Sequence, residues 1–166
     1  VAESLTEDPP THGDRIGILS RQSEVLAELQ AIVGFQVSLA HNMIRRDFDR
    51  NCSELGLTQK QIAILWVVEH CPNTVQTDLV EMFQSDRSTI SNLVRRLKSA
   101  GHVDFRDSRD DGRVVPLKIT SAGASKLREA KKLIEAHEGR VAYHLAPADK
   151  DVLVRALGRI HRLRAS

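Results

Sequence analysis

No apolar run in the chain approaches the roughly 18 residues that a membrane-spanning helix needs, so no membrane partner is expected. Cysteine is almost missing, with Cys52 and Cys71 alone. Two thiols cannot build the disulfide framework of a small secreted protein, and a reducing, cytoplasmic setting is expected. Val1 to Gly13 is polar and acidic, without the basic start and apolar middle of a secretory signal. Catalytic signatures are missing as well: there is no P-loop, no G-x-G-x-x-G, no G-x-S-x-G and no H-E-x-x-H. The two His–carboxylate neighbours, Glu69-His70 and His137-Glu138, are adjacent in sequence and diverge on a helix. An enzyme is not expected, and no catalytic residue or cofactor is assigned. Seven histidines (His12, His41, His70, His102, His137, His144 and His161) show no H-x-x-x-H spacing, and the cysteines no C-x-x-C. His137 and His144 can share a helix face, but no metal site is expected.

What is present is an ordinary globular composition, 41% apolar and 28% charged, which excludes wholesale disorder. The net charge of +2 says little about partners, but its distribution says more. From Asp86 to Lys118 eight basic residues face five acidic ones, leaving this segment at +3 and the rest of the chain at −1. A locally basic element on a near-neutral protein is the footprint of something that meets phosphates at one place.

Residues 1–20 lack periodicity, carry Pro9-Pro10 and Gly13, and read as a flexible arm. From about Ser23 to Leu55, Leu26, Leu29, Val33, Val37, Ala40, Ile44, Phe48 and Leu55 recur mainly at spacings of three and four, predicting one long amphipathic helix broken only by a tolerated Gly34. Gly56 closes it. Thr58 and Gln61 form a capping box for a second helix that Pro72 ends. A short helix (about 75–83) leads through Gln84-Ser85 into a fourth (about 86–100), closed by Gly101. Two short strands follow, Val103 to Arg106 and Val114 to Ile119, around a polar turn. Pro116 lacks an amide donor and suits an edge. Thr120 caps a long helix to about Leu145, and Pro147 opens a last one that ends near Leu163.

The fourth helix carries the chemistry. Ile90, Leu93, Val94 and Leu97 form the inward stripe. Ser88, Asn92, Arg95 and Ser99 lie opposite, flanked by Thr89 and Arg96, with no carboxylate after Asp86. A solvated face would mix Glu with Lys for pairing. Short hydroxyls allow close approach to a major groove, where arginine takes guanine, asparagine takes adenine, and serine or threonine bonds phosphate or base edges. The preceding short helix and tight turn complete a helix-turn-helix. Beyond it, the loop Asp107 to Arg113 projects arginines suited to a narrow minor groove. Asp111 is expected to brace one of them. The candidate DNA-binding residues are Arg87, Ser88, Thr89, Ser91, Asn92, Arg95 and Arg96 on the helix, with Arg109, Asp111 and Arg113 on the loop.

These residues also carry a resemblance. GLTQKQIAIL (56–65), DRSTISNLVRRLKSAGHV (86–103) and DGRVVPLKITSAG (111–123) resemble the MarR family of bacterial regulators. The last fits that family's D-x-R followed, after a strand, by L-T-x-x-G, with Ile119 where leucine is usual. Ala146 stands where a capping Ser or Thr commonly precedes Pro147. The likeness extends from about residue 25 to the end.

It implies a mainly α fold with a small β-hairpin wing, a winged helix-turn-helix that dimerises through its N- and C-terminal helices. The corresponding domains are the arm (1–20), a dimerisation helix (21–56), the DNA-binding lobe (57–119) and C-terminal dimerisation helices (120–166). The implied partners are a palindromic double-stranded DNA operator, a second copy in a homodimer, and a small-molecule effector. The apolar stripes of the first and last helices, too extensive for one small lobe, independently favour a dimer.

Position by position, Ser88, Thr89, Asn92 and Arg95 match the groove-facing helix, Arg113 the wing-tip arginine and Asp111 its brace. The family further implies release by a small aromatic acid, phenolic or related thioester. Phe35 and Trp66 are candidates to stack the ring, and His41 or Arg45 to hold a carboxylate.

Two alternatives stand beside this ligand-responsive, repressor-type regulator. One is a thiol-based redox sensor, although Cys52 and Cys71 are both expected to be buried structural residues. The other is a winged-helix module that binds protein and not DNA, which would predict an apolar surface on the fourth helix. Arg113→Ala is expected to weaken DNA binding, with most of the loss at minor-groove positions in a binding-site scan; an unchanged affinity would reject the wing assignment.

Overall fold

The computed structural model describes residues 12–105 and 115–161, with side chains from residue 21 onward. Seven α-helices and two strands are present among them: α1 (His12–Gln30), α2 (Val33–Asn51), α3 (Gln59–His70), α4 (Gln76–Met82), α5 (Arg87–Ser99), β1 (Val103–Phe105), β2 (Leu117–Ile119), α6 (Ser121–Tyr143) and α7 (Pro147–His161). They fall into two units, Val1–Arg45 and Arg46–Ser166. No helix among the described residues is long and apolar enough to cross a membrane.

The first unit corrects two expectations. Residues 12–20, assigned to a flexible arm, are the first half of α1. The single helix expected from Ser23 to Leu55 is two, interrupted at Ala31–Ile32. There the amides of Ala31 and Ile32 turn back to the carbonyls of Glu28 and Leu29, and the Gln36 side chain takes the Gln30 carbonyl at 2.7 Å. Two β-branched residues followed by Gly34 make this the weakest helix-forming stretch of the segment. The apolar spacing runs across the break and hides it. Gly34 lies in the first turn of α2, not in a helix interior.

The end of α2 belongs to the second unit because its side chains are part of that core. Phe48 and Cys52 are buried, and Asp47 is held from across the fold. His137 of α6, itself buried, donates through Nδ1 to Asp47 Oδ2 at 2.8 Å, while Arg140 donates to the same oxygen at 2.9 and 3.1 Å. Phe48 meets the imidazole edge-on, with centroids 5.6 Å apart. These donors hold the Asp47 carboxyl below its usual range, Arg140 first and His137 second. A short 3₁₀ turn, Ser53–Leu55, follows α2 and ends at Gly56 in the left-handed region, φ 64°. The helix therefore stops at Asn51, and Gly56 closes the turn beyond it.

The expected capping box is present on α3: the Thr58 hydroxyl accepts from the Gln61 amide, and the Gln61 side chain accepts from the Thr58 amide. Ile62, Ile64 and Leu65 of α3 pack with Leu79 of α4, Ile90, Val94 and Leu97 of α5, and Leu127 of α6 in one core. The strands pair antiparallel, Val103 with Ile119 and Phe105 with Leu117. The second strand is shorter than expected: Pro116 lies just before it, and the Leu117 amide donates to the Thr74 carbonyl at 2.8 Å. This bond ties the base of the hairpin to the α3–α4 loop.

The hairpin returns to where it left. Gly101 is left-handed at φ 73°. Its carbonyl accepts from the Thr120 hydroxyl at 2.6 Å, while the same hydroxyl accepts from the Gly123 amide at 3.0 Å, capping α6. A methyl group on Gly123 would lie 2.0 Å from the His102 carbonyl oxygen. That glycine is a close-approach residue. Gly123→Ala is expected to cost at least about 2 kcal/mol in denaturant unfolding. On the same helix Gly139, with open space around it, is expected to gain about 0.5–1 kcal/mol on replacement by alanine.

Candidate nucleic-acid interface

Asp86 starts α5 with an unusually full cap. Its carboxylate accepts from the Thr89 amide at 2.7 Å, the Thr89 hydroxyl at 2.7 Å and the Ser88 hydroxyl at 2.5 Å. These donors, the Ser88 hydroxyl foremost, hold its pKa far below the usual carboxylate range. The turn before it places Gln84 in the left-handed region at φ 45°, a position no glycine or asparagine marks in the sequence. The Gln84 side-chain amide donates to the His161 carbonyl at the end of α7, at 2.5 Å.

The helix is two-sided, as its periodicity predicts. Ile90, Val94 and Leu97 are buried and Leu93 half-buried. Arg87, Ser88, Ser91, Asn92, Arg95 and Arg96 are exposed, and Thr89 half-buried. Arg95 donates to the Asn92 side-chain oxygen, which orients both along the exposed face. Lys98 is spent differently: it pairs with Asp104 of β1 at 3.1 Å and lies over the Phe105 ring at 4.5 Å, fastening the last turn of α5 to the hairpin. The assigned wing residues Arg109, Asp111 and Arg113 lie outside the described residues.

The four proposed effector contacts divide between the units. Phe35 (half-buried), His41 and Arg45 (both exposed) stand on α2 in the first, with His41 and Arg45 one turn apart. Trp66, on α3 in the second, is 41% exposed. One face of its ring lies under the Lys131 ammonium at 4.6 Å, which also pairs with Glu69 at 3.1 Å. The second unit holds a cleft of about 410 Å³ that the sequence does not announce, lined by Phe48, Cys52, Leu57, Gln61, Arg96 and His102 among others. It forms where the end of α2, the Gly56 turn and the end of α5 meet, and periodicity within any one of them is blind to it. His102 Nδ1 is buried without a partner among the described residues.

Of the two cysteines, Cys52 is buried as expected and desolvation pushes its thiol up. Cys71 is exposed, contrary to expectation, because it caps the solvent end of α3. Among the described residues no three His, Cys, Asp or Glu side chains gather as metal ligands do.

Comparison with known proteins places this geometry. The MarR family model matches residues 55–114. The chain is similar to the uncharacterised HTH-type transcriptional regulator YdgJ of Bacillus subtilis (strain 168), at 22% identity, covering 85% of this chain and 79% of that protein. Its fold matches the transcriptional repressor CouR bound to a 23-mer DNA duplex, with a TM-score of 0.76 and 26% identity over 81% of this chain and 96% of that one. CouR bound to p-coumaroyl-CoA matches with a TM-score of 0.73 and 25% identity, over 82% and 96% of the two chains.

The carboxylates predict an acid limb. Asp47 and Asp86 have folded pKa values below that of an ordinary aspartate, so their contribution is complete above about pH 4 and is lost as pH falls through the folded values. Melting temperature measured against pH is expected to fall below about pH 4, and less steeply in Asp86→Asn. An identical slope in the variant would mean that the ionisation of Asp86 does not stabilise the fold.

Proposed function

We propose that the chain is a MarR-family regulator, a ligand-responsive transcriptional repressor that binds a palindromic DNA operator as a homodimer; the match of the family model to residues 55–114 supports the family. The observation that carries the DNA reading is the exposed face of α5. Ser88, Ser91, Asn92, Arg95 and Arg96 stand there together, with the apolar side of the helix buried behind them. Such a face offers N–H donors and small hydroxyls to a major groove and leaves a protein partner no apolar anchor. Likeness to a repressor bound to a DNA duplex supports it. Arg109 and Arg113 are the proposed minor-groove contacts, with Asp111 bracing them.

A dimer is favoured by apolar side chains that the single chain leaves in water. Val25, Leu26 and Leu29 on α1 are exposed, as are Val37 and Met43 on α2. On α7, which contributes no buried residue, Val152, Leu153, Val154 and Ile160 are exposed. Exposed apolar side chains repeated along a helix in this way mark association faces. Paired lobes would then read two half-sites about one helical turn apart.

The effector proposed is a small aromatic acid, phenolic or related thioester, with Phe35, His41, Arg45 and Trp66 as its contacts. Likeness to a repressor bound to p-coumaroyl-CoA supports that class. Against the redox alternative at Cys52 stand its burial and raised thiol pKa; the exposed Cys71 is the thiol that alternative would have to use.

The test is titration of the purified protein into labelled duplexes from a genome-wide selection, at two salt concentrations, with and without a panel of aromatic acids. Tight binding that weakens with salt and is released by one compound is the expected outcome. Arg95→Ala is expected to weaken the selected site by about tenfold or more. If no duplex binds better than random DNA, the regulator reading fails.

A further inference from the structure

We propose that Asp86 sets the base preference of α5 by fixing Ser88 and Thr89 as hydrogen-bond acceptors, so that the amino end of the helix selects adenine or cytosine over guanine or thymine. The inference rests on the DNA-binding reading above and names the chemistry of the half-site.

A hydroxyl has one hydrogen and two lone pairs. Ser88 spends its hydrogen on Asp86 Oδ1 at 2.5 Å, and Thr89 spends its own on Oδ2 at 2.7 Å. The Thr89 amide is committed to the same carboxylate at 2.7 Å. An ionised carboxylate only accepts, which fixes the direction of all three bonds. What the two hydroxyls have left to offer is lone pairs. Phosphate oxygens are acceptors too, so neither hydroxyl has a hydrogen left for the DNA backbone. In the major groove adenine N6 and cytosine N4 are amino donors, whereas guanine O6 and thymine O4 are acceptors. Lone pairs on Ser88 meet a partner on the first two bases and repulsion on the others. Ser88, the exposed member of the pair, is the reader, and the half-buried Thr89 supports it.

One turn further the polarity reverses. The Asn92 side-chain oxygen is taken by Arg95, so what these two present is N–H donors, suited to the N7 and O6 acceptors of guanine. The half-site expected for α5 sets an amino-bearing base beside an oxo-bearing one. Hydroxyl-for-phosphate contact, the other use of serine at such a position, is incompatible with this donor direction.

The experiment is selection from a randomised duplex library by the wild-type protein, Asp86→Asn and Ser88→Ala. It is followed by dissociation constants for the selected site and its amino-to-oxo variants, with melting temperatures confirming that each variant folds. Asparagine caps a helix about as well as aspartate; its oxygen keeps the two Oδ1 partners, the Thr89 amide and the Ser88 hydroxyl, while its NH₂ stands where Oδ2 was and cannot accept, so the Thr89 hydroxyl is released to donate.

The wild type is expected to prefer adenine or cytosine by about tenfold at one position of each half-site, Ser88→Ala to flatten that position to within about twofold, and Asp86→Asn, whose Thr89 hydroxyl can donate to an oxo base, to weaken the preference without abolishing it. Variants that keep the wild-type preference at every position would overturn the inference alone. So would a Ser88→Ala protein weakened equally on all sequences, as loss of a phosphate contact requires. A wild type that selects nothing over random DNA would overturn the DNA reading and this inference with it.

Discussion

The close approach of Gly123 to the carbonyl of His102 decides where the long helix α6 leaves the lobe. That carbonyl also accepts from the Thr120 amide at 3.1 Å, and the Thr120 hydroxyl closes on Gly101 beside it. The end of α5, both ends of the hairpin and the start of α6 therefore converge on one point of backbone. The hairpin is an excursion that begins and ends there. Its strands are three residues each, too short to hold a position by their own ladder. Lys98 to Asp104 on one side and the Leu117 amide to Thr74 on the other complete the anchorage. The direction of the candidate DNA-reading helix and that of the hairpin are consequently set by the same few bonds.

Much of the lobe was legible because local chemistry and periodicity agree there. Thr58 with Gln61 and Thr120 before α6 are caps in sequence and caps in the fold, whereas Asp86, read as the first residue of its helix, is the cap before it. The inward stripe of α5 is buried where the spacing puts it, and its polar face is exposed. The interruption at Ala31–Ile32 was not legible, since apolar residues keep their phase across it. Nor was the helicity of residues 12–20, whose apolar positions are too sparse for a periodic signal. The same limit hides Gln84, a left-handed residue with none of the usual markers, and Cys71, whose exposure depends on which end of α3 meets water.

The candidate site shows a subtler gap. Sequence spacing places Ser88 and Thr89 outward beside Asp86, but says nothing of where their hydrogens go. Two hydroxyls free to donate and two hydroxyls committed to a carboxylate are the same letters with opposite chemistry. The distances to Asp86 decide between them. Likewise Trp66 reads as an open aromatic face until the Lys131 ammonium is found over it.

The bond between Asp47 and His137 joins residues ninety positions apart. During synthesis the amino-terminal partner leaves the ribosome long before the other exists. Until most of α6 has emerged, Asp47 has neither His137 nor Arg140, and Phe48 lacks the imidazole it packs against. The lobe thus closes late, on the arrival of α6, although nearly all of its candidate DNA-contacting residues have already been made. A nascent chain halted at the hairpin would carry the recognition residues with Phe48 and the rest of the face that α6 packs on still open to chaperones.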